Sequence, residues 1–192
     1  MRLHSILQIV LKELLPMSEV LVVIGSVRKG RVADSILGYV KNELATRENV
    51  NVTVADLKEV DLPFFENENS PLSPDFVITD PKVIAWSEMV SAADSIIFIT
   101  PEYNHTLSAV QKNALDSLGS DWDKKPVTAV AYGWSGGSLA VATLREVLGN
   151  LKTDTKENFS QLGFMKDINP DGSIADQASV TAKIKATIDE IL

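Results

Sequence analysis

Apolar residues along the chain alternate between two periods, one typical of buried strands and one typical of helices. Continuous apolar runs predict strands at Val20–Ile24, Ser95–Thr100 and Val127–Tyr132, because a parallel strand covered on both faces buries side chains on both sides. Val50–Ala55 instead alternates polar and apolar residues, which also predicts a strand.

Segments with helical spacing lie between and after these strands. They predict helices over Val32–Leu44, Pro81–Ala93, Leu107–Leu118, Gly137–Leu148 and Ala178–Leu192. The pattern is weaker over Leu151–Phe164, where we expect a last strand. Strands that alternate with helices predict a parallel sheet covered on both faces, in which ligands bind at the carboxyl ends of the strands.

Two segments lie outside this alternation. The polar, proline-rich stretch Asp61–Asp80, called the excursion below, is too long for a simple connector and predicts a surface segment with function or mobility. Residues 1–17 hold a short, interrupted apolar run that cannot span a bilayer. We expect an extension there and one domain over 18–192. A short amphipathic helix that binds a partner or a membrane surface is the alternative for the extension.

Composition narrows the chemistry that this domain can perform. The 18 Lys and Arg against 26 Asp and Glu give a net charge of −8, which argues against nonspecific nucleic-acid binding. The chain has no cysteine and two histidines. Disulfides, thiolate metal sites, thiol catalysis and a histidine-rich metal site are therefore excluded, and no metal is expected. Redox chemistry would need a bound organic cofactor.

The first loop, Gly25–Arg31, joins the first predicted strand to a helix. Ser26 offers a hydroxyl, and Arg28, Lys29 and Arg31 offer cationic donors that suit a phosphate group. The second glycine of a dinucleotide turn and the Lys-Ser/Thr pair of a Walker A loop are both missing. The loop therefore predicts a phosphate cradle without nucleotide hydrolysis, and a solvated basic loop is the alternative.

The second loop, Pro101–His105, follows the most hydrophobic strand. Pro101 stiffens the backbone, and Tyr103 and Asn104 offer a flat face and an amide that suit a heteroaromatic ring. Capping, turn-forming and solvated roles are the structural alternatives. A structural role is favoured for His105 over a catalytic one.

The third loop, Gly133–Gly137, matches the G-x-S-x-G pattern of a hydrolase nucleophile elbow at a strand-to-helix turn. No histidine follows Ser135, so the general base that such a hydrolase needs is missing. Close approach of the backbone to a planar ligand is the preferred interpretation, because glycine leaves room for it. Trp134 would border that ligand or pack under the loop.

Together the three loops resemble a known family. The stretches GSVRKGR (Gly25–Arg31), PEYNHTLSAVQKNALDSL (Pro101–Leu118) and YGWSGG (Tyr132–Gly137) are similar to those of NADPH-dependent FMN reductases. The resemblance covers about Val20 to Leu148. It implies a flavodoxin-like, three-layer α/β/α fold with a five-stranded parallel sheet in the order 2-1-3-4-5.

The resemblance also implies a site for FMN without a catalytic side chain. Ser26 and Arg28 would bind the phosphate, while Arg31, often a serine in the family, would supply charge. The ring would be held from one side by Pro101, Glu102, Tyr103 and Asn104, and bordered on the other side by Ser135, Gly136 and Gly137. In the helix after the second loop, Lys112, Asn113 and Asp116 would be structural or lie at a subunit interface.

The implied activity is hydride transfer from NADPH, or NADH, through FMN to quinones, free flavin or similar small acceptors. The family further implies a homodimer or tetramer, and we expect a cytoplasmic enzyme without a membrane span. The alternative is a flavodoxin-like electron carrier or redox sensor that holds FMN with little NAD(P)H turnover.

Overall fold

The computed structural model describes residues 16–192, so the predicted extension at 1–17 lies almost wholly outside the described residues. The described chain forms a parallel sheet in the order β2-β1-β3-β4-β5, with β6 also paired to β4. The strands are β1 (Ser18–Ile24), β2 (Val50–Asp56), β3 (Ser95–Pro101), β4 (Pro126–Gly133), β5 (Asp154–Thr155) and β6 (Ser160–Gly163). The order and the parallel pairing confirm the predicted flavodoxin-like fold.

The fifth position of the sheet differs in detail from the prediction. Two short strands share it, because β5 pairs with the start of β4 and β6 with its end. Between them the Lys156 N–H still donates to the Val127 carbonyl (2.9 Å), but the next contact with β4 is made by a side chain, the Thr128 hydroxyl, which donates to the Asn158 carbonyl (2.9 Å). This interruption explains why the apolar pattern of the region is weak.

Within the described chain, five helices fall where the helical spacing predicted them, with changed ends, and a sixth, the four-residue helix at Leu57–Val60, was not predicted. They are α1 (Ala33–Leu44), α2 (Leu57–Val60), α3 (Pro81–Ala92), α4 (Ala109–Asp116), α5 (Ser138–Asn150) and α6 (Gln177–Ile188). Helix α4 is shorter than the predicted helix because Ser108 caps it, its hydroxyl accepting the Gln111 N–H. Leu107 precedes the helix and is buried, so its apolar side chain serves core packing and does not mark the start of the helix.

Buried side chains form one hydrophobic layer on each face of the sheet. On one face, β1 and β3 pack against α1 and α6, as at Val22, Ile36 and Ile184. On the other face they pack against α3, α4 and α5, around the tryptophan pair Trp86 and Trp122. This is the predicted three-layer arrangement, and it leaves the carboxyl ends of the strands free to carry loops.

Candidate functional site

The three loops predicted to carry function meet at the carboxyl edge of the sheet. The Ser26 hydroxyl of the first loop lies 2.7 Å from the Tyr103 hydroxyl of the second loop. The Glu102 carboxylate of the second loop accepts hydrogen bonds from the third loop and from α5 beyond it. The structure thus places the three loops side by side, as the ends of β1, β3 and β4 require.

Ser26 lies at the centre of the contact between the first and second loops. Its side chain is buried and lies near two phenols, Tyr103 and Tyr132. Burial raises the pKa of Tyr132 to about 12, and the nearby Ser26 hydroxyl acts in the opposite direction. When Tyr103 donates to Ser26, the serine proton stays available for an anionic ligand.

The cations of the first loop are in two different states. Arg28 and Lys29 are exposed, and neither has a side-chain partner among residues 16–192. Arg31 is mostly buried, and its guanidinium binds the carboxylates of Asp34 and Asp56. Those hydrogen bonds, led by the one with Asp56, raise the pKa of Arg31. Arg28 and Lys29 can therefore meet a phosphate, whereas Arg31 is already engaged.

The tip of the second loop is a tight hairpin turn. Tyr103 and Thr106 exchange both backbone hydrogen bonds, at 2.9 and 3.0 Å. Asn104 and His105 between them have φ values of 47° and 67°, as in a type I′ turn. His105 is 81% exposed at its side chain, and its Nδ1 atom lies 4.0 Å from the nearer Glu102 oxygen.

The Glu102 side chain is turned toward the protein. It is 11% exposed, and its carboxylate accepts the Leu139 N–H (2.9 Å) at the start of α5. A negative charge is favourable there because the N–H groups of a helix start are otherwise unpaired. The side chain of Glu102 therefore joins the second loop to α5, while its backbone N–H donates to the Tyr132 carbonyl (3.2 Å).

The third loop needs its glycines for local geometry. Gly136 and Gly137 have φ values of 71° and 76°, and a Cβ at Gly137 would lie 2.9 Å from the Ala131 Cβ. Ser135 is exposed beside them. Trp134 does not pack under the loop: it is 74% exposed, and its ring meets Phe164 edge-on at 5.5 Å.

The excursion forms a separate wall next to α4. The Asn113 amide donates to the Pro63 carbonyl (2.8 Å) and accepts the Phe65 N–H (2.9 Å). A cavity of about 470 Å³ lies within the excursion, lined in part by Phe64, Phe65 and Phe76. None of the predicted FMN residues lines this cavity. Asn113 thus has a structural role within its own chain.

Sequence reasoning missed a group of buried polar residues beneath the first loop. The Ser108 hydroxyl donates to the Gly25 carbonyl (2.5 Å), and the Gln111 amide donates to the Thr100 hydroxyl (3.0 Å). A Cβ at Gly25 would lie 2.2 Å from the Gln111 Oε1 atom. A glutamine on the apolar face of the predicted helix was the available signal. The sequence also gave no sign that Tyr132 lies near Ser26, because Tyr132 stands within the apolar run that predicts β4.

Within residues 16–192, no helix is both long and apolar enough to cross a membrane. The same residues contain no cluster of acidic and histidine side chains that could hold a metal ion.

The sequence of the chain is similar to that of a known protein family. Residues 18–160 match the family model of NADPH-dependent FMN reductases. The chain is 36% identical over 140 residues to an NAD(P)H-dependent FMN reductase of Saccharomyces cerevisiae, covering 68% of this chain and 73% of that one. It is 34% identical over 128 residues to a probable NADPH:quinone oxidoreductase of Oryza sativa subsp. japonica, covering 64% and 60% respectively.

The fold has a solved counterpart as well. FerB, a flavoenzyme NAD(P)H:(acceptor) oxidoreductase from Paracoccus denitrificans, superposes with a TM-score of 0.70 at 23% identity. The superposition covers 91% of this chain and 97% of the other.

Proposed function

Because the chain belongs to the NADPH-dependent FMN reductase family, we propose that it reduces small planar acceptors, such as quinones or free flavin, with NAD(P)H. The observation that carries the proposal is the 2.7 Å hydrogen bond between Ser26 and Tyr103. It joins the loop that suits a phosphate to the loop that suits a flat ring, as a flavin nucleotide requires. FMN is the cofactor and a nicotinamide nucleotide is the electron donor.

The residues of the site fit FMN. Helix α1 begins without a side-chain cap, and next to it Arg28 and Lys29 have no partner within the described chain. An uncapped helix start and two unengaged cations are donors that suit a phosphate dianion. FMN bound there would supply the hydride-transfer chemistry that links the nicotinamide donor to the acceptor.

The protein's own residues bind the cofactor, orient it and enclose it. Arg28 and Ser26 hold the phosphate, and the Asn104 turn presents backbone and amide groups to the ring. Ser135, Gly136 and Gly137 border the ring from the end of β4. No side chain has to act as nucleophile, which agrees with a described site that contains one histidine and no cysteine.

The excursion is proposed to form one wall of the acceptor site, since Asn113 fixes it to the helix that follows the second loop. We further propose a domain over 18–192, a homodimer or tetramer and a cytoplasmic location. The family resemblance supports the proposed assembly, which light scattering tests, and cell fractionation tests the location.

The decisive experiment is the visible spectrum of the protein after incubation with FMN and desalting, and again after anaerobic addition of NADPH and then NADH. Retained flavin that bleaches supports the proposal, and addition of a quinone should restore the oxidised spectrum. Retained flavin that neither nucleotide bleaches would favour the electron carrier. Failure to bind FMN, even by titration, would refute the cofactor site.

Arg28→Gln is expected to weaken FMN binding by about 30-fold, the effect of losing one charge-assisted phosphate contact. Riboflavin, which lacks the phosphate, should bind the variant as well as it binds the wild type. The matched control is Lys41→Gln, which removes an exposed cation from the far end of α1. Equal losses for the two flavins would contradict a phosphate contact at Arg28.

A further inference from the structure

Arg31 is the least exposed cation of the first loop, and its contacts differ from those of a phosphate ligand. Nη1 donates to the Ser26 carbonyl (2.6 Å) and to Asp56 Oδ1 (2.7 Å), and Nη2 donates to Asp56 Oδ2. Nε donates to Asp34 Oδ1 (2.8 Å). The side chain is 11% exposed.

These contacts use both edges of the guanidinium. Arginine recognises a phosphate best through two parallel N–H groups on one edge. One edge of Arg31 is filled by the Asp56 carboxylate, and Nε on the other edge is filled by Asp34. Neither edge can offer a fork to a ligand while these hydrogen bonds hold.

The carboxylates also cancel the charge of Arg31. Two acidic groups lie within hydrogen-bond distance of a single guanidinium. The field that Arg31 projects toward an anion is therefore small, whereas Arg28 has no such neighbour among residues 16–192. Electrostatic attraction of the phosphate falls to Arg28 rather than to Arg31.

Asp56 connects this cluster to the rest of the sheet edge. It ends β2, and its Oδ1 atom also accepts the Lys58 N–H (3.0 Å) as the cap of α2. Arg31 therefore links the carbonyl of Ser26, beside the phosphate-binding hydroxyl, to a carboxylate fixed by β2 and α2. A link of this kind sets the shape of the first loop.

We propose that Arg31 is a positioning residue that acts through Asp56: it holds the Ser26 backbone in the conformation that receives the phosphate and does not touch the phosphate itself. This inference rests on the proposed FMN site. It makes Asp56, a residue of another strand, a determinant of the preference for FMN over riboflavin.

The test compares dissociation constants for FMN and riboflavin in Asp56→Asn, Arg31→Gln and the double variant, with Asp34→Asn as the matched control. Asp34→Asn removes a carboxylate from the same guanidinium, but that carboxylate is 60% exposed and belongs to the loop's own helix. Circular dichroism and thermal unfolding establish that each variant is folded.

Asp56→Asn is expected to weaken FMN binding about tenfold, the effect of losing one well-formed charged pair. Riboflavin affinity should change less than twofold, and the double variant should be no weaker than Arg31→Gln alone, because both changes break one link. Asp34→Asn should bind FMN as the wild type does or slightly more tightly.

Three results would overturn the proposal. Tighter FMN binding by Asp56→Asn would mean that the freed Arg31 is itself a phosphate ligand. Equal losses of affinity for FMN and riboflavin would mean that Asp56 has a general structural role. Additive losses of FMN affinity in the double variant would mean that Arg31 and Asp56 act independently. If Asp56→Asn does not fold, Arg31→Lys is the deciding variant. Lysine keeps the positive charge that a direct phosphate ligand needs, but it cannot form the paired hydrogen bonds of arginine with Asp56. The proposal therefore expects weaker FMN binding in Arg31→Lys, and unchanged binding would contradict it. Failure of the wild type to bind FMN would instead reject the proposed function.

Discussion

At the scale of single residues, two arginines of the same loop have different surroundings. Arg28 and Arg31 are three positions apart in one basic loop, yet one is unengaged within the described chain and the other is enclosed by carboxylates. The sequence predicted a basic loop that suits phosphate. The family resemblance gave the two arginines different roles, but the chemistry of the loop alone could not, because Asp56, one of the two partners of Arg31, comes from β2, a strand reached only after α1.

The turn at Asn104 and His105 gives a prediction about backbone strain. His105 has a φ of 67°, where a side chain costs energy and glycine does not. His105→Gly should therefore raise the free energy of unfolding by about 0.5–1 kcal/mol, measured by denaturant unfolding without cofactor. FMN affinity should be unchanged, because the exposed imidazole is not assigned a contact.

Asn104→Ala is the matching change at the other position of the turn, where φ is 47°. Alanine tolerates this region less well than asparagine, so the variant should lose about 1 kcal/mol of stability. It should also retain flavin less well. Normal stability in Asn104→Ala together with reduced stability in His105→Gly would contradict the assigned turn.

At the scale of elements, α4 connects the second loop to the excursion. The residue that makes the connection, Asn113, lies in the stretch that carried the family resemblance, where its role was open between structure and subunit interface. The structure gives it two hydrogen bonds to backbone atoms of the excursion. An apolar pattern cannot predict such a contact, since the excursion has no periodicity to place it.

Asn113→Ala should release the excursion while leaving the FMN loops in place. We expect the KM for a quinone to rise several-fold and protease cleavage within residues 64–79 to accelerate, with FMN affinity unchanged. Lys112→Ala is the control, because its pair with Asp116 is a half-exposed contact along one helix that contributes little. Weaker FMN binding in Asn113→Ala would assign Asn113 to the cofactor site instead.

The strand elements show where pattern reading succeeds and where it stops. β1, β3 and β4 were predicted within about two residues, because a strand buried on both faces leaves an uninterrupted apolar signal. The shared fifth position was not resolved into β5 and β6. Two and four residues are too short for a period, and their pairing depends on β4 rather than on their own sequence.

At the scale of the whole molecule, two hydrogen-bonded carboxylates, one buried and one half-buried, couple the free energy of unfolding to pH. Arg31 lowers the pKa of Asp56, its largest influence. Burial of Asp167 opposes its ionisation, but hydrogen bonds from Lys183, Ser179 and the Gly163 N–H outweigh burial and lower the pKa of Asp167 as well. Both carboxylates therefore ionise more readily in the folded chain than in the unfolded one.

The sign of the pH effect follows from these shifts. A carboxylate with a lowered folded pKa contributes stability above its unfolded pKa and loses it as pH falls through the folded value. The free energy of unfolding should be nearly constant at neutral pH and fall between about pH 5 and pH 2. Asp167→Asn should be destabilised by roughly 3 kcal/mol at pH 7 and show a shallower acid dependence. An unchanged dependence of the free energy of unfolding on pH below pH 5 would mean that Asp167 does not contribute to it.

The backbone hydrogen bonds that close the second-loop turn also affect the rate of cofactor binding. Tyr103 and Thr106 satisfy each other's backbone groups, so this turn is held by contacts within the protein and needs no ligand atom to close it. Newly made chains should then capture FMN in a single bimolecular step, with a rate that rises linearly with cofactor concentration and no plateau.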